Sequence, residues 1–219
     1  MSGKPLIAVV GGTGAEGGGL ALRLAHAGYR VIIGSRDGAR AAEAAEAIKA
    51  RLGTVDVSGA ESADAAARAD IVLLAVPYSA QQATAAALAA HLKGKILIDA
   101  TVPLVPPKVG RAQLPEGGSA VARVQEALGP DVRVVAAFQN VSAHYLKDLD
   151  YKIECDVLVC GDDAEACETV IALAEAIGLR GIYAGALCNA AAVEALTSVL
   201  ITINRRHKVT GSGIRITGI

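Results

Sequence analysis

The chain has 219 residues, of which 53% are hydrophobic and 3% aromatic, with a formal net charge of -1. That length suits one medium domain with a small appendage, and the apolar share supplies a core rich in alanine. Near-neutral charge and scarce aromatic rings exclude a general attraction to nucleic acid or to an anionic membrane surface.

The N-terminal stretch Leu6-Ile7-Ala8-Val9-Val10 is short, apolar and partly β-branched, so it reads as a buried strand. Glycines follow at the spacing GxGxxG: Gly12, Gly14 and Gly17. After a strand and before a helix, this spacing is a dinucleotide-binding fingerprint. Gly12 is expected to make the tight turn, Gly14 to admit a phosphate, and Gly17 to let the helix lie against the strand. The backbone through Gly12, Thr13, Gly14, Ala15 and Glu16 would then face a pyrophosphate with the positive end of the helix.

A second strand runs over residues 30–34. NAD sites place an acid at its end, to bond the ribose 2′-hydroxyl. Here stand Ser35 and Arg36, with Arg40 one helical turn on. A hydroxyl and two guanidiniums suit a 2′-phosphate, which arginine binds through paired, charge-assisted hydrogen bonds, so the expected cofactor is NADP(H). Thr13 offers a further hydroxyl. Asp37 lies past the strand end and reads as a helix cap.

Residues 55–57 read as a short third strand and 60–69 as a helix. Residues 70–76 form a strong buried strand that ends at Pro77, so Val76, Pro77 and Tyr78 fall where a nicotinamide lies, beyond the strand's carboxyl end. A helix over 79–91 and a strand over 95–99 lead to an irregular, proline-containing stretch, 101–118, assigned to the substrate side of the cleft. A helix over 119–128 and a strand over 132–137 lead to a second candidate loop with Gln139, Asn140, Val141, Ser142, Ala143 and His144. A strand over 155–160 and an Asp-capped helix over 164–177, ended by Gly178, come next. A long apolar helix over 189–207 and an edge strand over 214–216 close the chain.

The alternation of strand and helix predicts an α/β, Rossmann-type, doubly wound parallel sheet with a small C-terminal helical cap. The expected division is a nucleotide-binding domain over 1–137 and a substrate-side and dimerisation segment over 138–219. A helix apolar on most faces needs a cover, which points to a homodimer. No charged leader precedes an apolar segment and no uninterrupted apolar run is long enough to span a bilayer, so the expected location is cytoplasmic, without membrane or nucleic-acid partners. Cys155, Cys160, Cys167 and Cys188 lack metal-ligand spacing and read as small buried residues. No metal site is expected.

There is no HExxH, GxSxG or P-loop lysine. His144 and Lys147 are the nearby candidates for a proton donor, and the Arg205-Arg206-His207-Lys208 run reads as a solvated helix end that complements the dipole. A dinucleotide site without an acid–base pair suits hydride transfer between nicotinamide C4 and a second heteroaromatic ring. Positioning the two rings supplies most of that catalysis.

These features together resemble the NADPH-dependent reductases of the deazaflavin coenzyme F420. The resemblance spans essentially the whole chain. It rests on Gly11-Gly12-Thr13-Gly14 with Gly17 and Gly19, on Gly34-Ser35-Arg36, on Val76-Pro77, on Cys160-Gly161-Asp162-Asp163 and on the ending Gly213-Ile214-Arg215-Ile216. It implies that Thr13, Ser35, Arg36 and Arg40 hold the 2′-phosphate and that Pro77 borders the nicotinamide. It also implies that Gln139, Asn140, Val141, Ser142 and Ala143 line the deazaflavin. One position departs: where this family often has histidine, this chain has Gln139, which hydrogen-bonds but carries no charge. The second substrate is therefore open between the deazaflavin, a flavin and another small acceptor. Two further readings stand beside it, an NADPH-dependent imine or β-hydroxyacid reductase and a non-catalytic NADP(H) sensor.

Overall fold

The computed structural model describes residues 3–219. β1 (Leu6–Val10), β2 (Arg30–Ser35), β3 (Val57–Glu61), β4 (Ile71–Leu74), β5 (Ile96–Asp99), β6 (Arg133–Ala136), β7 (Asp156–Gly161) and β8 (Arg180–Tyr183) form one sheet, in the order β3-β2-β1-β4-β5-β6-β7-β8. Order reverses between β1 and β4, which creates the crevice that open α/β sheets use for ligands. Helices cover both faces. Ile7, Val9, Ile33, Leu73 and Ile98 pack on one side, and Ala8, Val10, Ile32, Val72 and Leu97 on the other, which is why the central strands are apolar without alternation.

The helices are α1 (Ala15–His26), α2 (Gly38–Leu52), α3 (Ser62–Arg68), α4 (Tyr78–Leu92), α5 (Ala120–Leu128), α6 (Ala143–Leu146), α7 (Ala164–Ala176) and α8 (Ala190–His207), the last preceded by a 3-10 turn over Leu187–Asn189. Asp37 caps α2 by accepting from the amides of Ala39 and Arg40, as its position implied. Asp163 caps α7 in the same way, by accepting from Ala166.

Several expectations are corrected. The third strand begins at Val57, not at residue 55, and α3 starts at Ser62. β7 pairs with β6 antiparallel, so the sheet is mixed at that edge. The C-terminal part is not a helical cap alone, because β7 and β8 extend the sheet. Residues 214–216 form no strand. Ile214 gives one carbonyl to the Asp156 amide, and then the Ile216 amide donates to the Asp156 side chain rather than to a ladder partner. Cys188 is exposed, although the other cysteines are buried. The helical stretch Leu187–His207 is long and apolar enough to cross a membrane by length and composition. It is not an uninterrupted apolar run, because Asn189, Glu194, Thr197 and Ser198 break it.

Those polar residues dock α8 onto the sheet-bound part of the chain. The Glu194 carboxylate, buried, accepts from the Ser119 hydroxyl at 2.6 Å and from the amides of Ala120 and Val121, at the start of α5. Thr197 donates to the Gln139 carbonyl, and Thr202 to the Gly110 carbonyl in the irregular stretch. Arg23 of α1, also buried, donates to the carbonyls of Leu146, Tyr145, Asp148 and Tyr151.

Candidate nucleotide and second-ring site

The turn after β1 is made by Gly11, not Gly12. Gly11 has φ 85°, and a Cβ there would stand 2.2 Å from the Ala75 carbonyl oxygen. Gly12 has ordinary φ, and its missing side chain instead avoids the Val9 carbonyl. Gly17 lies against Gly11, since its Cβ would meet the Gly11 oxygen at 2.5 Å. The helix thus closes on the turn rather than on the strand. α1 begins at Gly14 with no side-chain cap, so its first amides keep unused donors at the crevice.

At the end of β2, Ser35 accepts from the Asp37 amide, which ties its hydroxyl into a local turn. Arg36 and Arg40 are exposed, and neither guanidinium makes a hydrogen bond or ion pair among the described residues. Both remain available to an anion. Glu61, which pairs in register with Ser35, is an exposed acid at the same strand end that the sequence reading did not weigh.

On the other side of the glycine turn is a cavity of about 390 Å³. Its walls include Glu16, Val76, Pro77, Tyr78, Thr101 and Gln139, so the strand-end proline and the two loops do meet. The irregular stretch contributes its first residues, Thr101, Val102 and Leu104. A second cavity, about 270 Å³, adjoins it and shares Gln139, Val141 and Thr197. Asn140, Ser142, Ala143, Leu200, Ile201, Asn204 and Ser212 complete it.

Gln139 is held in place from both ends. Its amide donates to the Asp99 carbonyl at 2.8 Å, and its own carbonyl accepts from Thr197. Phe138 before it sits at φ 76°, a left-handed conformation that costs a bulky residue about 1–2 kcal/mol and redirects the chain at the loop entrance. Asn140 lines the second cavity, and its side-chain amide nitrogen donates to the Asp156 carbonyl. Several buried polar atoms along these walls have no partner: Thr101 Oγ1, Gln139 Oε1, Asn140 Oδ1, Asn204 Oδ1 and Ser212 Oγ. Leaving such atoms unmet costs free energy, so they fit a ligand with its own donors and acceptors.

His144 and Lys147 are exposed, and neither lines either cavity. Lys147 faces a separate groove with Thr13 and Arg51. Arg205, Arg206, His207 and Lys208 are an exposed end of α8. A depression of about 510 Å³ beside Arg133 and Asp162 lies at the opposite end of the sheet from the glycine turn.

Residues 6–103 match the family described as NADP oxidoreductase, coenzyme F420-dependent. The F420-dependent NADP reductase of Methanothermobacter thermautotrophicus is 44% identical over 97% of this chain and 95% of its own length. That of Methanocaldococcus jannaschii is 44% identical over 97% of this chain and 98% of its own. The chain belongs to the coenzyme F420-dependent NADP oxidoreductase family. Among solved structures, a candidate F420-dependent NADP-reductase from Arthrobacter sp. FB24 superposes with a TM-score of 0.81, at 27% identity, over 98% of this chain and 100% of that one.

Within this family member, sequence reasoning missed the walls supplied by α8 and the tail: Thr197, Leu200, Ile201, Asn204 and Ser212. No motif marks them. Their signal was only the polar interruptions in an otherwise apolar helix. Asp99 was also missed. It is fully buried at the end of β5, bonded by the Gln81 amide at 2.7 Å and the Thr101 amide at 2.9 Å. Burial pushes its carboxyl above the usual range.

Proposed function

We propose that this chain is an oxidoreductase that passes a hydride between NADP(H) and the deazaflavin coenzyme F420. The observation that carries the reading is the pair of adjoining cavities with common walls at Gln139, Val141 and Thr197, in a chain 44% identical to F420-dependent NADP reductases along nearly its whole length. NADP(H) and the deazaflavin supply the redox chemistry when bound. The protein supplies position. Gly12, Thr13, Gly14 and Ala15 receive the pyrophosphate, Arg36 and Arg40 take the 2′-phosphate, and Val76 and Pro77 border the nicotinamide. Gln139, Val141, Ser142 and Ala143 line the second ring, with Thr197, Asn204 and Ser212 opposite. The fixed loop sets the spacing that hydride transfer needs.

The segment 138–219 serves as the substrate side and carries the apolar α8 face that a second copy covers. Free cysteines fit a reducing, cytoplasmic setting. Anaerobic stopped-flow mixing of NADPH-loaded protein with oxidised deazaflavin, and separately with FMN and FAD, tests the reading. Fast, saturable loss of the NADPH band with the deazaflavin is expected. Oxidation by a flavin alone would keep the mechanism and change the substrate, the outcome that Gln139 makes worth testing. Tight NADPH binding with no oxidation by any of them would favour an imine reductase or a sensor.

A further inference from the structure

We propose that Glu16 distinguishes oxidised from reduced nicotinamide: its carboxyl releases a proton when NADP+ binds and keeps it when NADPH binds. The inference rests on the NADP reading above and goes beyond it in assigning a charge-sensing role to one side chain.

Glu16 lies in the first turn of α1 and lines the cavity that also holds Pro77, Thr101 and Gln139. Its carboxyl has no hydrogen-bond or ion-pair partner among the described residues. Among the described residues the one other titratable side chain in the cavity wall is Tyr78, and no cationic side chain lines it. Behind the wall stands the Asp99 carboxyl on β5. Asp99 also acts electrostatically on Glu194 of α8, which is already bonded to the start of α5. On the same wall, Thr101 Oγ1 and Gln139 Oε1 are buried without partners. The cavity is thus acidic and hydrogen-bond-hungry, with no protein cation to neutralise it.

Burial, and then repulsion from Asp99, raise the Glu16 carboxyl to about 8, so at neutral pH the empty site holds it mostly protonated. The two cofactor forms share the same phosphates, whose effects cancel in a comparison. They differ by one positive charge on the ring. An opposite charge within roughly 4–6 Å lowers a carboxyl pKa by about 1–3 units. The oxidised ring therefore favours the carboxylate, and the proton goes to solvent. The reduced ring is neutral and leaves the carboxyl as it was. By linkage, NADP+ binding strengthens as pH rises across this window, while NADPH binding does not.

The test is isothermal titration calorimetry of the full chain with NADP+ and with NADPH, near pH ~7, in buffers of different ionisation enthalpy. The buffer dependence gives the protons exchanged. NADP+ is expected to release about half to one proton more than NADPH. The ratio of the NADPH Kd to the NADP+ Kd should rise with pH, by up to about tenfold per unit. Glu16→Gln should abolish both effects. Glu16→Asp, which keeps an acid, should restore part of the proton release. Equal release in the wild-type protein overturns the proposal, as does a difference that survives in Glu16→Gln. Failure of both nucleotides to bind the wild-type protein overturns the NADP reading itself, an outcome distinct from binding without differential proton release.

Discussion

The Arg180 guanidinium grips the Asp156 carboxylate with two bonds, Nε to Oδ1 at 2.8 Å and Nη2 to Oδ2 at 2.5 Å. Because β7 runs against β6, its first residue, Asp156, lies at the glycine-loop end of the sheet. The same carboxylate accepts from the Ile216 amide at 2.6 Å, and Arg180 also donates to the Ile216 carbonyl. This pair pins the tail whose Ser212 walls the second cavity. Asp156→Asn should loosen the tail and weaken deazaflavin binding by about tenfold or more, with a smaller effect on NADPH, since a charge-assisted bond contributes about 1.5–3 kcal/mol. Fluorescence titration with each ligand checks this; equal losses for both would refute it.

The Arg36 guanidinium stands exposed at the end of β2 with no hydrogen-bond or ion-pair partner among the described residues. Arg36→Ala should weaken NADPH binding by about tenfold to a hundredfold and leave NADH binding nearly unchanged, because only the former carries the 2′-phosphate. The parallel change at Arg40 should act in the same direction. Kd values for the two nucleotides decide it. A shared loss would assign these guanidiniums to something other than the phosphate.

The stability of the ligand-free protein should fall as pH rises from about 4.5 to about 8. The sign follows from proton counting. The Glu16 carboxyl titrates higher in the folded chain than in the unfolded one, so the folded state holds the extra proton and loses its advantage once both forms are ionised. Asp99 and Glu194 are raised by burial and act in the same sense. Asp156, lowered first by its bond to Arg180, acts oppositely, and its contribution is lost as the medium becomes strongly acidic. Urea midpoints across this range should show the decline, and Glu16→Gln should flatten it. An unchanged slope in the variant would mean that Glu16 is not the group titrating.

Val199 and Ile203, one turn apart on α8, are 50% and 39% exposed. Val209 and Ile216 are also exposed nearby in sequence. A double change, Val199→Glu with Ile203→Glu, should abolish the self-association proposed for this face and lower the melting temperature to a value that no longer depends on protein concentration. Sedimentation of the two proteins tests it. A wild-type chain that is monomeric at all concentrations would remove the premise.

What could be read from the residues alone follows a physical divide. The strand–glycine–helix turn, the Ser35-Arg36 strand end and the proline at residue 77 are local patterns, and the structure brings Gly14 and Pro77 to one cavity and leaves Arg36 exposed at the end of β2. The direction of β7 left no trace, because an apolar strand has the same period whichever way it runs. The exchange of roles between Gly11 and Gly12 was hidden because adjacent glycines look alike until one carbonyl, that of Ala75, comes within reach. Thr197, Asn204 and Ser212 lie far along the chain from the loop they face (Thr197 bonds Gln139 at a separation of 58). Such pairings belong to tertiary packing, not to spacing.

Arg23 has a mechanical consequence. Its guanidinium runs from α1, the helix after the glycine turn, into the backbone around residues 145–151, just past the loop that lines the second cavity. Buried bonds to several carbonyls make that link stiff. The helix and the segment behind that loop are therefore bolted to one strut, and a load on either is carried to the other.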